Sequence, residues 1–401
     1  MDRLLSPNEA KFWLMDHAAP MNCVVVTRVR RPLDAAALVR GSAFALPTVV
    51  LGRHRRPRWS HRAGDRVPGV IEEVEGAESA WLEVAAGLLE RPVGCGAHPN
   101  WRAVLIRHGA AGSTLALATN HALTDWRTCL LVTDAFLEGR FPGEIAPACE
   151  EMLPPAAYGD PDAAGLIDGW WSERAGARWE AAGLDRLSAA LPPASPARFK
   201  VALFTAAETA ALHARLAAEG VTLNGVVAAV LRDVLGVATV AHSVDMSRFI
   251  RPALPPVPGL AVSHLYTPVP PRATMPDVWE TAREVRGALF ERIQAGAHGD
   301  ALLILPKVLL AGAIGLTAET ADVTITGSPT WKSRDSQGAT GDIAMQLVLS
   351  SARGGGDVVI LSYAEGCLQL IAGCPETRPP GGRPPLDIAA VADRLRAAVA
   401  G

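Results

Sequence analysis

Short runs of apolar and β-branched residues recur through the first half of the chain and predict β-strands. The clearest runs from Asn22 to Val29, NCVVVTRV. Two more, Trp101 to Arg107 and Ser113 to Thr119, flank the turn sequence GAAG and predict a hairpin. A helix is predicted from Arg127 to Leu137, because its apolar residues recur at helical spacing and a glycine follows at position 139.

The beginning and the middle of the chain carry signals of a different kind. Ser6-Pro7-Asn8-Glu9 is typical of a helix start, with a serine cap, a proline in the first turn and an early acid. Between Gly139 and Gly165 the chain is rich in proline, glycine and alanine, which predicts a long surface excursion. A tryptophan-rich helix follows, and Leu191 to Pro196, LPPASP, predicts a stiff linker.

The second half mixes predicted helices and strands without strict βαβ alternation. A helix is predicted after Thr205, capped together with Glu208, and a second one from Thr222 to Leu235. The predicted strands are 199–204, 237–244, 260–267, 321–326, 343–350, 358–364 and 367–373. This order favours an α+β protein with antiparallel or mixed sheets. We predict a first lobe of residues 1–191, a linker at 192–197 and a second lobe of residues 198–401.

Composition narrows the class of protein. The chain has 401 residues, enough for two lobes, and 49% hydrophobic and 20% charged residues, which is globular. A net charge of −3 and a pI near 6.4 argue against a nucleic-acid or anionic-membrane partner. The apolar stretch Ala301 to Leu316 is short and holds Pro306 and Lys307, so a buried broken helix is predicted and no integral membrane segment.

The cysteines and the N-terminus bear on location and metals. Six widely spaced cysteines form no C-x-x-C pair, which predicts reduced, buried thiols rather than disulfides or zinc ligands. The first residues contain no apolar core of a secretion signal. A cytoplasmic protein without a metal site is therefore expected.

Histidine is the natural candidate for a catalytic base near neutral pH, and two histidines begin an H-x-x-x-D pattern. His61 lies in an arginine- and glycine-rich polar stretch and predicts a solvated loop. His121 follows the apolar strand TLALAT and precedes an apolar helix, a junction at which a scaffold can fix a side chain. The residues alone leave two interpretations open: a catalytic His121 with Asp125 beside it, or a helix cap next to a packed histidine.

A resemblance favours the catalytic interpretation. The stretch NHALTDW resembles the HHxxxDG motif of the condensation-domain and CoA-dependent acyltransferase superfamily. LSPNEAKFWL, MNCVVVTRVRRPLDAAAL, GVTLNGVVAAVL and SVDMSRFIRPALP with GLAVSHL are similar, in the expected order, to wax synthase/diacylglycerol acyltransferases and polyketide-associated acyltransferases. The resemblance implies two lobes like those of chloramphenicol acetyltransferase, with a tunnel at their interface and His121 at its middle.

The resemblance also implies a role for each site residue. His121 is the general base, and Asp125 turns away and orients the loop through an ion pair, with Arg248 as first partner and Arg251 as second. Ser328 or Trp331, in TITGSPTWKS, is by position a candidate donor to the oxyanion, although a Gly-Ser-Pro sequence is also typical of a plain turn. No cofactor is bound tightly, because the donor is the thioester of acyl-CoA or of a phosphopantetheine arm.

Two positions depart from the family motif. Asn120 stands where the family has its first histidine, and Trp126 stands where the family has glycine. Both are candidate substrate-binding residues. Trp126 either lines the donor channel beside His121 or joins the apolar stripe of the following helix through Leu130 and Leu131.

The predicted function is transfer of an acyl group from a CoA or carrier-protein thioester to a hydroxyl or amine of a small acceptor of secondary metabolism. Two alternatives remain open. One is a condensation-like tailoring enzyme that uses His121 for cyclisation or another acid-base step. The other is a non-catalytic relative that binds a carrier protein or ligand.

Overall fold

The computed structural model describes residues 3–18, 20–42, 46–51, 56–139, 144–172, 197–251, 253, 257–303, 321–327, 343–350, 357–376 and 384–401. The strands are β1 (Arg3–Leu4), β2 (Asn22–Val29), β3 (Thr48–Leu51), β4 (Pro57–Ser60), β5 (Val70–Glu75), β6 (Arg102–Arg107), β7 (Ser113–Asn120), β8 (Ala197–Leu203), β9 (Thr239–Asp245), β10 (Val262–Pro268), β11 (Val323–Gly327), β12 (Ile343–Ser350), β13 (Asp357–Ala364) and β14 (Cys367–Pro375).

The helices alternate irregularly with these strands. They are α1 (Pro7–Ala18), α2 (Ala35–Ser42), α3 (Trp81–Leu89), α4 (Trp126–Glu138), α5 (Cys149–Met152), α6 (Ala163–Trp171), α7 (Ala206–Glu219), α8 (Leu223–Leu235), α9 (Val278–Gln294), α10 (Ala297–Asp300) and α11 (Ile388–Ala400). The predicted α+β class with mixed sheets is confirmed.

The first sheet has the strand order β12-β2-β7-β6-β5 and is antiparallel except for the parallel pair of β5 and β6. The β-branched strand β2 is buried on both faces, because side chains that alternate along it pack against elements on opposite sides of the sheet. Val24 and Val26 pack towards α3 and the second sheet, whereas Cys23 and Val25 pack under α4. The hairpin of β6 and β7 is present as predicted.

The second sheet has the order β10-β9-β11-β13-β14-β8, with β11 parallel to both of its neighbours and the other pairs antiparallel. Its core is built on α8, whose residues from Val226 to Leu231 are all fully buried. Helices α7, α9 and α11 pack around α8. Each sheet with its helices forms one lobe.

The second half of the chain contributes one strand to the first lobe. All of residues 198–401 were assigned to the second lobe by the sequence, but β12 pairs with β2 at the edge of the first sheet. Hydrogen bonding to β2 buries apolar side chains such as Leu347 and Leu349 in the first lobe. The predicted linker 192–197 lies outside the described residues apart from Ala197, the first residue of β8.

Helix ends follow the predicted capping residues. Ser6 and Glu9 form a reciprocal pair at the start of α1: the Ser6 hydroxyl accepts from the Glu9 N–H (3.3 Å), and the Glu9 carboxylate accepts from the Ser6 N–H (2.8 Å). Thr205 and Glu208 do the same for α7, and Gly139 ends α4 in the left-handed conformation.

The first lobe departs from the sequence analysis in two respects. A small sheet of β1, β4 and β3, as well as β5, was missed, because its strands are short or, in β5, mostly exposed and acidic. The supposed surface excursion after Gly139 is instead partly buried between positions 144 and 157, where its apolar side chains pack against the second half of the chain, including Met246 and Ala261. Its buried residues include Ala146, Cys149, Glu150 and Leu153.

Within the described ranges, no single helix is long and apolar enough to cross a membrane. By length and composition alone, the pair α7 and α8 passes the same test together, with a bend of 98° between them.

Candidate active site

His121 lies at the end of β7, where the chain leaves the first sheet and turns towards α4. Its N–H donates to the carbonyl of Met21 (2.7 Å), so the backbone is tied to the neighbouring strand. The Thr124 hydroxyl lies 2.8 Å from that of Thr119 and 3.1 Å from the Asn120 carbonyl. The turn from 120 to 125, which we call the histidine loop, is therefore closed by its own short polar side chains.

Asn120 stabilises this loop from within. Its side-chain NH₂ donates to the Val93 carbonyl (3.1 Å) and its side-chain oxygen accepts from the Ala122 N–H (2.8 Å). The residue is 1% exposed. The predicted contact with substrate is corrected to a structural role, because no surface of Asn120 is left for a ligand.

Asp125 joins the two lobes. One carboxylate oxygen accepts from the Thr128 N–H (2.8 Å) and thereby caps α4, and the other accepts from the N–H of Ala261 in the second lobe (2.7 Å). The predicted ion pair with Arg248 is wrong: Arg248 is exposed and lies 3.6 Å from Asp245. A backbone amide takes the place of the expected arginine, because the chain entering β10 passes directly beside the cap.

The same stretch of the second lobe also contacts α1. The side-chain NH₂ of Asn8 donates to the carbonyl of Val262 (2.9 Å). Two hydrogen bonds, from α1 and from Asp125, thus fix the start of β10 against the first lobe. His264, two residues further along β10, is consequently held at the lobe interface near His121.

Several ionisable side chains lie close to the ring of Phe12 in α1. The His121 imidazole stacks on it, with ring centroids 4.1 Å apart and 20° between the planes. The His264 ring lies 6.5 Å away, and the Lys11 ammonium lies 4.6 Å from the Phe12 centroid. With Glu150, which interacts electrostatically with Lys11, these residues form what we call the site cluster.

The surroundings keep His121 neutral. Burial and, to a smaller extent, the Lys11 charge lower its pKa to about 4, against backbone groups of His121 and Thr124 that favour protonation. Its Nδ1 is buried without a hydrogen bond. Burial, Lys11 and His121 together lower the pKa of His264 to about 3.

Lys11 and Glu150 are charged groups with few contacts. Burial lowers the pKa of Lys11 to about 8, partly opposed by Glu150. Glu150 accepts from the Asn8 N–H (2.9 Å), but its other carboxylate oxygen is buried without a hydrogen bond. Burial and the nearby Glu9 raise the pKa of Glu150 to about 7, against the polar groups of Asn8 and Ser6.

Sequence reasoning missed three members of the site cluster. Glu150 lies in the stretch that was assigned to the surface, although the neighbouring Cys149 and Leu153 are apolar signals of burial. Lys11 lies in LSPNEAKFWL, which was used as a helix start and a family signal. His264 lies in GLAVSHL, which was used as a family signal and not as a source of a site residue.

Trp126 is the first residue of α4 and is half-buried. It packs with Leu130 on the apolar group of Cys23, Val25, Cys129 and Val348. This is the apolar-stripe alternative for Trp126, since the indole contacts the helix and the β2 face of the sheet. A wall of the donor channel has no support in these contacts.

The remaining residues singled out in the sequence have no described contact with the site cluster or lie outside the described residues. Ser328 and Trp331 lie outside the described residues. Arg251 is exposed and donates to the carbonyls of Arg248 and Ile250. His61 follows β4 of the small sheet.

Among the described residues no group of three histidine, cysteine or acidic side chains is arranged to hold a metal ion.

Comparison with known structures defines the class of fold. The chain has the fold of condensation domains, two lobes of the chloramphenicol acetyltransferase type. The first condensation domain of the calcium-dependent antibiotic synthetase, in complex with a substrate analogue, is 17% identical, with a TM-score of 0.64 over 100% of this chain and 97% of that one.

Two further structures show the breadth of this fold. Polyketide synthase associated protein 5 from Mycobacterium tuberculosis is 14% identical, with a TM-score of 0.64 over 100% of this chain and 98% of that one. The EpoB NRPS cyclization-docking bidomain from Sorangium cellulosum is 14% identical, with a TM-score of 0.64 over 100% of this chain and 84% of that one. No protein-family model and no curated protein matches the chain.

Proposed function

We propose that this protein transfers an acyl group from a phosphopantetheine or CoA thioester to a hydroxyl or amine, with His121 as general base. The observation that carries the proposal is the placement of a neutral imidazole at the lobe interface, fixed by the histidine loop and by stacking on Phe12. The condensation-domain fold supports acyl or peptidyl transfer, or a related tailoring step, as the class of reaction.

The proposed step uses one ring nitrogen of His121. His121 Nε2 takes the proton of the acceptor as its oxygen or nitrogen attacks the thioester carbonyl. The new C–O or C–N bond forms, the C–S bond breaks, and the imidazolium returns the proton to the leaving thiolate. A low imidazolium pKa favours that return, since an ordinary thiol has a pKa near 8.5.

Asp125 is a positioning residue in this proposal. Its two hydrogen-bonded oxygens hold the end of the histidine loop against the second lobe, and neither faces a reacting group. A change at Asp125 should therefore alter the placement of His121 and the joining of the lobes. The wider partners we propose are a carrier protein that delivers the donor and a small-molecule acceptor.

The test is release of free thiol from a panel of acyl-CoA, acyl-pantetheine and acyl-carrier thioesters, with and without alcohol and amine acceptors. We expect acceptor-dependent release by the wild type. His121→Ala should lower its rate by about 10²–10⁴-fold with little change in melting temperature. The matched control is His61→Ala, which begins the other H-x-x-x-D pattern and should retain the wild-type rate.

The alternatives give different results in the same assay. Conversion of a bound substrate that needs His121 but releases no thiol would replace acyl transfer by a tailoring step. Carrier-protein binding without turnover, unchanged in His121→Ala, would overturn the catalytic role altogether.

A further inference from the structure

The Lys11 ammonium forms no ion pair within the described part of the chain. The side chain is half-buried, and its close contact is the ring of Phe12, 4.6 Å from the centroid. The acid that interacts with it, Glu150, is itself engaged with the Asn8 N–H at the start of α1. A cation–π contact stabilises an ammonium by much less than a paired carboxylate does.

Keeping such a charge costs free energy of folding. The lowered pKa of Lys11 reflects that cost, because burial works against the protonated form. The residue type is also unusual for this chain, in which only four of the 38 basic residues are lysines. A lysine offers a compact point charge with three donors, which suits an anion that arrives from outside.

Lys11 lies close to His121, the proposed reacting centre. Its ammonium and the His121 imidazole both contact Phe12. The Lys11 charge also lowers the pKa of both His121 and His264. An anion bound to Lys11 would therefore lie within one small substrate's reach of His121 Nε2.

We propose that Lys11 is the anion-binding residue of a substrate subsite beside His121, and that the acceptor which occupies this subsite carries a free carboxylate. The identity of the bound molecule as acceptor rests on the proposed function, but the anion subsite itself does not. The phosphate of the donor itself is excluded by distance. In a phosphopantetheine donor, two amide-linked units separate the phosphate from the thioester, so the phosphate cannot lie beside His121 while the thioester does.

The test measures by calorimetry the affinity of the full chain for two matched probes. One is the anionic acid N-octanoylglycine, and the other is its neutral amide, N-octanoylglycinamide. We expect the wild type to bind the acid about 10- to 100-fold more tightly than the amide, as for a charge-assisted hydrogen bond. Lys11→Met should bring this ratio close to one without weakening the amide, and Lys11→Arg should retain part of it.

Two control variants separate this inference from the proposed function. Lys200→Met removes an exposed lysine of β8 and should leave the ratio unchanged. His121→Ala should also keep the preference for the acid. If His121→Ala kept full turnover while the Lys11 results held, the proposed base would fail and the anion subsite would stand.

Three outcomes overturn the inference. The first is equal binding of acid and amide by the wild type, or no binding of either at millimolar concentration. The second is an unchanged preference in Lys11→Met, even if the pH dependence of turnover shifts. The third is displacement of the acid by inorganic phosphate at comparable concentration, which would make the subsite one for phosphate.

Discussion

The histidine loop and the site cluster share His121, yet the other polar groups of the loop have hydrogen-bond partners whereas those of the cluster have few. In the loop, Asn120, Thr124 and Asp125 satisfy one another, the backbone of their own lobe and one amide of the other lobe. In the cluster, Lys11 and Glu150 are buried or half-buried with few partners. The difference separates residues that stabilise the fold from residues whose charges cost stability, which is the pattern expected where a substrate completes the contacts.

Removal of the Asp125 carboxylate should give the largest loss of stability. Asp125→Ala leaves the Thr128 amide uncapped and the Ala261 amide buried without a partner. We expect the free energy of unfolding to fall by about 2–4 kcal/mol in urea denaturation, together with a lower turnover. Asp125→Asn should lose only the contact with Ala261, since its amide oxygen can still accept from Thr128.

The matched control for Asp125 is Arg248→Ala, which removes the arginine that the sequence paired with it. Arg248 is exposed, so we expect a change within about 0.5 kcal/mol and a normal rate. A large loss of stability in Arg248→Ala would restore the ion pair and contradict the contacts described here.

Removal of the Trp126 indole should have the next largest effect. Trp126→Gly takes away packing on Cys23 and Leu130 and puts glycine in the first turn of α4. We expect a loss of about 1–3 kcal/mol in the free energy of unfolding, with an unchanged range of acyl donors. A variant that accepts longer acyl donors at little cost in stability would instead place the indole in the donor channel.

Neutralising Glu150 should stabilise the protein. A raised pKa in the folded state means that folding favours protonated Glu150, so its contribution falls as pH rises from about 4.5 through about 7. Glu150→Gln keeps an acceptor for the Asn8 N–H and cannot ionise, so it removes this loss of stability at higher pH. We expect a gain of about 1 kcal/mol at pH 8 and little at pH 5, relative to the wild type.

The exposed neighbour Glu151 provides the control for that measurement. Glu151→Gln should change stability less than Glu150→Gln at both pH values, because Glu151 lies at the surface. Destabilisation by Glu150→Gln at pH 8 would show that its charge is paired, and the contrast between the loop and the cluster would be lost.

The sequence predicted the parts of this site that depend on local interactions. The strand before Asn120 and the end of α4 at Gly139 follow from residues a few positions apart, and so does the cap at Asp125, which was one of two interpretations left open. The same holds for the start of α1 at Ser6. Local periodicity and capping therefore suffice to place His121 at a strand-to-helix junction.

The parts that were missed depend on contacts between distant segments. Asp125 and Ala261 are 136 positions apart, and Asn8 and Glu150 are 142 apart. No local pattern indicates such contacts. For that reason an arginine was predicted as the partner of Asp125, where the structure has the backbone amide of Ala261. The crossing of β12 into the first sheet was missed for the same reason, because an apolar strand has the same pattern in either sheet.

The central claim, that a neutral His121 is the base, is tested most directly by the pH dependence of kcat/KM for acceptor-dependent thiol release, corrected for ionisation of the acceptor. A base is active when unprotonated, so its rate falls as pH drops through its pKa in the free enzyme. Because the His121 pKa is lowered to about 4, we expect no loss of rate through pH 6.5 and a decline only near pH 4, absent from the residual activity of His121→Ala. A decline centred near pH 6.5, or the same profile in His121→Ala, would contradict the account.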